Sequence, residues 1–317
     1  MIGAGWIVPF HLAALERLGR TKVVGITSGT HARAAAIARP LGAVASDDPL
    51  ALVDELRPDA VYLCVPPFRA VGLGEALVER GIPFLTEKPL AATDAAGPVR
   101  LAAAIEGSGL VVAVGYHLRG IEALATVQER LDANPAQLVA GRWIGSTPGP
   151  AWWRRVDEGG GQVVEQATHL FDLSRHLVGE AEVTAASSLR ESPPVPTDTD
   201  VADATAAILQ FETGALGSFV TARRASDATV DLSLISDGAR TTIRRAADAP
   251  GGWEIELVDG DATRTIPAGR DPYEVQAERF LDAVVAGDPS RVLSSYGDAL
   301  RTDRLTRAVV SATGQPG

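Results

Sequence analysis

Short apolar runs at 23–26, 60–65, 83–85 and 110–114 punctuate the first third of the chain. Between them, residues 10–18, 31–41, 50–56, 70–80 and 95–105 carry alanine and leucine at helical spacing. Strands that are apolar throughout are buried on both faces, and their alternation with helices predicts repeated βα units around a doubly wound parallel sheet. After a further helix expected over 120–133, the period changes from that of a helix to that of a strand. Residues 230–234 and 253–257 alternate apolar and polar, and Thr213-Gly214, Asp237-Gly238 and Asp259-Gly260 are turn signals, so an antiparallel sheet is expected. The proline-rich stretch 192–196 reads as a loop within that sheet region, and 273–286 and 296–312 read as two closing helices.

At 317 residues the chain is long enough for two domains. Its net charge of -11 repels polyanions, which argues against a nucleic-acid partner but leaves room for a small phosphorylated cofactor. The one cysteine, Cys64, sits in an apolar run with no disulfide partner in the chain, which fits a reducing cytoplasm. No apolar stretch approaches the roughly 18–20 residues that cross a bilayer, and no basic-then-apolar signal opens the sequence, so no membrane association is expected. Met1-Ile2 runs at once into Gly3-Ala4-Gly5, which leaves almost no strand before the glycines and points to residues missing upstream.

Only two of the 29 basic residues are lysines, Lys22 and Lys88. Lys88 lies in Glu87-Lys88-Pro89 directly after an apolar run. A lysine can release its proton when desolvated or crowded by another cation, and an arginine cannot, so proton transfer is the reading for Lys88; a surface lysine at a strand end is the alternative. Gly3-x-Gly5 before a helix has the shape of a dinucleotide turn, although Val8 stands at the third glycine position; a tight turn with no ligand is the rival. After the second run the chain reads Thr27-Ser28-Gly29-Thr30-His31-Ala32-Arg33, with no carboxylate to repel a 2′-phosphate. Ser28 and Thr30 as donors, with Arg33 or His31 adding charge, favour NADP over NAD; a plain polar loop is the alternative. Val65-Pro66-Pro67 ends another run, where prolines cost no ladder bond and form a flat wall beside a ribose or nicotinamide, and Gly115-Tyr116-His117 follows the last run of the same crevice. Downstream of Gly159-Gly160-Gly161, a helix would place Glu165, His169, Asp172 and His176 on one face at spacings of four, three and four. A carboxylate and an imidazole one turn apart can steer a hydroxyl and share its proton, and no metal motif accompanies them. His176 and His11 read as ordinary structural histidines.

With these motifs in this order, the chain resembles the glucose-fructose oxidoreductase and inositol dehydrogenase (Gfo/Idh/MocA) family over essentially its whole length. The resemblance implies a Rossmann domain over 1–117 and an α+β domain over 118–317, whose open sheet, with helices on one face, binds substrate and forms a dimer or tetramer. It also implies hydride transfer between NAD(P) and a sugar or cyclitol carbon. Carried over by position, Lys88 is the acid/base, His169 its partner on the substrate hydroxyl and Asp172 a substrate ligand. Glu165 stands where many relatives have aspartate. Gly3, Gly5, Trp6, Ile7, Ser28, Gly29, Thr30, Arg33, Val65, Pro66, Pro67, Glu87, Lys88, His117 and Arg154 fall at cofactor positions, and Tyr116 and Trp153 at substrate positions. Two rival functions share the fold: a non-catalytic sensor of NAD(P) or sugar, which has no need of an acid/base pair, and a glycoside hydrolase that oxidises its sugar transiently on tightly held NAD.

Overall fold

The computed structural model describes residues 1–190 and 199–314. In chain order the elements are α1 (Val8–Leu18), β1 (Gly25–Thr27), α2 (His31–Leu41), β2 (Val44–Ser46), α3 (Pro49–Leu56), β3 (Val61–Leu63), α4 (Pro67–Glu79), β4 (Phe84–Thr86), α5 (Ala96–Ser108) and β5 (Val112–Val114). There follow α6 (Leu124–Ala133), β6 (Leu138–Ser146), α7 (Val156–Gly159), α8 (Gly161–Glu165), α9 (Thr168–Val178), β7 (Ala181–Leu189), β8 (Ala204–Phe211), β9 (Leu216–Ala222), β10 (Arg224–Ser236), β11 (Ala239–Arg245), β12 (Trp253–Asp259), β13 (Ala262–Pro267), α10 (Pro272–Ala286) and α11 (Tyr296–Ala312). Every helix expected in the first third is present. The proline loop 192–196 lies outside the described residues. The short strand β2 was not anticipated, since its three residues include no apolar run and Val44 is 43% exposed.

The chain divides into two compact units, Met1–Gly120 with Tyr273–Leu300, and Ile121–Pro272 with Arg301–Gly317. A single boundary at 117 therefore misses the return of residues 273–300 to the first unit. The reason is apolar packing: Ala277, Phe280 and Ala283 of α10 are buried with Val8, Leu15, Tyr62 and Leu85, and Tyr296, Ala299 and Leu300 with Leu63, Phe84, Val112 and Tyr116. Burying a phenylalanine side chain such as that of Phe280 stabilises by about 1.5–3 kcal/mol.

In the first unit, β1 and β2 pair in parallel, as do β3, β4 and β5 in that order. One residue joins the two groups. Ile2 bridges Thr27 on one side and Leu63 on the other, both in parallel. Its N–H donates to Tyr62 O at 2.8 Å and its carbonyl accepts from Cys64 N at 2.7 Å, while Thr27 N donates to Met1 O at 3.0 Å. The spatial order β2, β1, Ile2, β3, β4, β5 is that of a doubly wound sheet whose direction of winding reverses at Ile2, where such sheets open their ligand crevice.

The second unit is built on an eight-stranded sheet in the order β13-β12-β11-β10-β6-β9-β8-β7. The three turn signals do close hairpins, with Gly214, Gly238 and Gly260 at φ of 91°, 63° and 56°. The sheet is mixed, because β6 and β9 run parallel through the pairs Leu138 with Leu216 to Ile144 with Ala222. One face carries the core, including Leu209, Phe211, Phe219, Leu232, Leu234, Ile255 and Leu257. The opposite face is laddered by ion pairs at one end, Arg142 with Asp231, Arg240 with Glu256 and Arg244 with Glu254. At the other end it exposes Leu138, Ile208, Leu216 and Val220.

Candidate active site

The nucleotide turn begins at the residue after Ile2. Gly3 has φ 116°, and a side chain there would overlap the carbonyl of Cys64, so only glycine lets the backbone leave the sheet at this point. Gly5 has a different reason to be glycine, because a Cβ would meet no protein atom within 4 Å. Just beyond, α1 begins with Pro9 in its first turn, no capping side chain and no acidic residue, so its amide donors and positive dipole end face no competing carboxylate of its own. Gly29 likewise has nothing within 4 Å of a built Cβ, and α2 starts after Thr30 without a side-chain cap or an acidic first turn. Arg33 and His31 are exposed. Two glycines that protein packing does not require, beside two uncapped helix starts, fit the diphosphate and ribose of a dinucleotide. Val65 and Pro66 are half-buried at the end of β3, and Pro67 opens α4. Trp6 is 72% exposed and leads a row of rings, with Phe10 at 4.8 Å, Tyr273 5.6 Å further on and His117 stacked on Tyr273 at 4.1 Å.

Lys88 follows β4, half-buried, with a cis bond to Pro89. Glu87 is 8% exposed. Its Oε1 lies 2.8 Å from His11 Nε2, and its Oε2 accepts the Lys88 N–H at 3.2 Å. Tyr116, expected to touch substrate, is instead 1% exposed among core residues of the first unit. It carries an apolar ring that packing claims before the crevice does.

In the second unit, the expected single helix from Glu165 to His176 is broken. Gln166 ends α8 at φ -108°, ψ -59°, and α9 restarts at Thr168. Glu165 therefore does not share a helical face with His169, and no glycine or proline marks the break. Gly160 and Gly161, at φ 78° and 77°, make the preceding turn. Glu165 Oε2 accepts from Trp153 Nε1 at 2.8 Å. Trp153 is itself 1% exposed, so it supports Glu165 rather than facing solvent. The Arg154 carbonyl accepts from Thr199 Oγ1 at 2.9 Å, tying the segment before α7 to the chain at 199. His169 is 4% exposed and stacks on Trp143, centroids 5.8 Å apart. Asp172 lies within an internal network: it accepts from Thr302 Oγ1 at 3.0 Å, which accepts from Arg175 Nη1 at 2.6 Å, and Arg175 forks onto Glu180. At 1% exposure Asp172 anchors α9. His176 is exposed. No cluster of metal-ligating side chains occurs among the described residues.

Residues 1–116 match the oxidoreductase family with an NAD-binding Rossmann fold, and residues 136–244 match the GFO/IDH/MocA C-terminal domain. The chain belongs to the Gfo/Idh/MocA oxidoreductase family. Inositol 2-dehydrogenase 1 of Saccharopolyspora erythraea is 27% identical over 314 residues, 91% of this chain and 86% of that protein. Myo-inositol 2-dehydrogenase of Thermotoga maritima is 24% identical, over 94% and 91%. An uncharacterized protein of Schizosaccharomyces pombe is 25% identical, over 81% and 71%. The chain spans less than two thirds of a second uncharacterized S. pombe protein, 64%, and of inositol 2-dehydrogenase 4 of S. erythraea, 55%. Among solved structures, a 3-ketoreductase from Actinomadura kijaniata in complex with NADP and TDP-benzene superposes with a TM-score of 0.86 at 22% identity, covering 98% of this chain and 96% of that one. A levoglucosan dehydrogenase in complex with NADH and levoglucosan gives 0.84 at 20% identity, covering 99% and 96%. The Gfo/Idh/MocA fold thus extends over both units. His11 is buried against a partner 76 residues away, and its only local signal is a histidine at the fourth position of an otherwise apolar helix face. No helix among the described residues is long and apolar enough to cross a membrane.

Proposed function

We propose that the protein oxidises a hydroxyl carbon of a sugar, sugar derivative or cyclitol, or reduces the corresponding ketone, with NADP as the preferred cofactor. The observation that carries this reading is Lys88: a half-buried lysine in an arginine-rich chain, at the carboxyl end of a central strand of an NAD-binding sheet. The nicotinamide cofactor, when bound, takes up or supplies the hydride. Gly3, Gly5 and the start of α1 hold its diphosphate, and Ser28, Thr30 and Arg33 receive the ribose and its 2′-phosphate. Lys88 accepts the hydroxyl proton in oxidation and returns it in reduction. His169, its ring orientation fixed by Trp143, holds the reacting hydroxyl, and Glu165, steadied by Trp153, binds a neighbouring one. Asp172 acts through α9, as a positioning residue. Screening myo-inositol, common hexoses and their glycosides with NADP and NAD, by the absorbance of reduced cofactor and by release of the aglycone, tests the reading. Turnover without cofactor reduction but with glycoside cleavage would favour the hydrolase, and cofactor binding with neither activity would favour the sensor.

The cofactor preference has its own test. Arg33→Glu is expected to weaken NADPH binding roughly 10-fold, the loss of one charge-assisted contact, and to leave NADH binding unchanged. Fluorescence titration reads both, and equal effects on the two cofactors would sink the assignment.

We also place a contact between two copies of the chain on the open face of the eight-stranded sheet. Its exposed leucine, isoleucine and valine side chains adjoin a ladder whose charges already pair within the chain, which leaves the apolar end to another surface. Val220→Asp is expected to convert an oligomer to monomer in light scattering. A monomeric parent protein, or an oligomer indifferent to the substitution, would remove this contact.

A further inference from the structure

The Glu87 carboxylate is enclosed on three sides. His11 Nε2 approaches Oε1 at 2.8 Å, the Lys88 N–H approaches Oε2 at 3.2 Å, and the third wall is the Gly115 backbone. A Cβ on Gly115 would stand 2.8 Å from Glu87 Cδ and Oε1, so this glycine makes room for the carboxylate. His11 is 1% exposed. It is faced by Cys64 and Tyr62 from the end of β3, by Glu87 from the end of β4 and by Tyr273 from α10, the two tyrosine rings edge-on at 5.1 and 5.5 Å.

We propose that His11 is a positioning residue for Lys88: it holds and charge-balances the Glu87 carboxylate, which in turn pins the Lys88 main chain, so the lysine keeps its place without an uncompensated negative neighbour. The physical need follows from where Glu87 sits. A buried carboxylate beside a lysine, left without a cation of its own, favours the ammonium form over the neutral form that a proton acceptor needs. A cation 2.8 Å from that carboxylate turns the isolated charge into a short dipole, whose field falls off faster with distance. Burial opposes a charge on the His11 ring, but Cys64 and Glu87 outweigh it and raise its pKa, and the 2.8 Å contact with the Glu87 carboxylate favours the imidazolium. His11 belongs to α1, the helix that starts at the nucleotide turn, so the His11–Glu87 pair connects that helix with the Lys88 main chain.

This rests on the acid/base reading of Lys88, but its test does not. Because Lys88 and Lys22 are the only lysines, reductive methylation with 13C-formaldehyde places one dimethylamino signal on each, assigned with Lys22→Arg and Lys88→Arg. His11→Gln is expected to raise the Lys88 titration midpoint by about one pH unit, as for a newly uncompensated neighbouring charge, while exposed Lys22 stays put as the internal reference. His11→Gln with Glu87→Gln removes both charges and is expected to restore the original midpoint. A Lys88 midpoint unmoved by His11→Gln overturns the proposal. Ring 15N shifts of His11 at pH 8 in the unsubstituted protein give a readout that needs no folded variant: an imidazolium supports the proposal and a neutral ring overturns it. An unmoved midpoint beside an inactive Lys88→Arg enzyme rejects the clamp alone. A moved midpoint beside a fully active Lys88→Arg enzyme keeps the clamp and rejects the acid/base role.

Discussion

Lys88→Arg is expected to lower turnover by about 100-fold to 10,000-fold while leaving NADPH affinity unchanged, the range by which a positioned acid/base contributes. Arginine keeps the positive charge and much of the length, so a role limited to attracting an anionic or hydroxyl group would survive the exchange. What arginine loses is the neutral form, because a guanidinium stays protonated at any accessible pH. The comparison of interest is therefore kcat against cofactor Kd, the first by steady-state kinetics on whichever polyol turns over, the second by fluorescence titration. Near-normal kcat in the arginine variant would remove Lys88 from the chemistry, and a collapse of NADPH binding would place it in the cofactor site instead.

Gly3→Ala carries the largest expected cost to the fold. The new Cβ would overlap a backbone carbonyl, that of Cys64, and the residue would have to hold a φ near 116° that side chains rarely adopt. The dihedral alone costs about 1–3 kcal/mol. The overlap adds to this, because Cys64 N donates to Ile2 O and the colliding peptide belongs to the ladder that joins the two halves of the sheet. A loss of at least about 3 kcal/mol is expected in urea unfolding followed by circular dichroism. Gly5→Ala is the informative control. With no protein atom within 4 Å of its Cβ, it is expected to leave stability within about 0.5 kcal/mol and to weaken NADPH binding. Equal stability losses in the two variants would mean that the turn is shaped by packing alone, and that Gly5 serves no ligand.

The periodic signals in the chain were enough to locate nearly every element of the first third and all three hairpin turns, because apolar runs, helical spacing and Asp-Gly or Thr-Gly pairs are local causes of local structure. The motifs of the proposed site stand out in the sequence for the same reason: Gly3-x-Gly5, Glu87-Lys88-Pro89 and the His169 segment are contiguous. What stayed hidden depends on burial and on distant partners. Tyr116, Trp153 and Asp172 occupy positions in site motifs, yet each is about 1% exposed, and spacing says nothing of which way a side chain turns. Glu165 and His169 looked coplanar on an ideal helix, and only the backbone at Gln166 separates them. His11 passed for an ordinary core histidine until the fold brought Glu87 to it. The parallel pairing of β6 with β9 was invisible too, since alternation along a strand is the same whichever direction its neighbour runs.

The return of residues 273–300 to the first unit governs the order in which this protein can be made. A ribosome delivers the glycine turn and the parallel strands early, but Ala277, Phe280, Tyr296 and Leu300, which close the apolar core around those strands, emerge only after the whole eight-stranded sheet has been synthesised. Until then Tyr62, Leu85 and Phe84 lack part of their cover, and the nascent nucleotide-binding half exposes apolar surface of the kind that chaperones recognise and that aggregates. The unit begun first is thus not complete until residue 300, after the whole sheet of the second has been made.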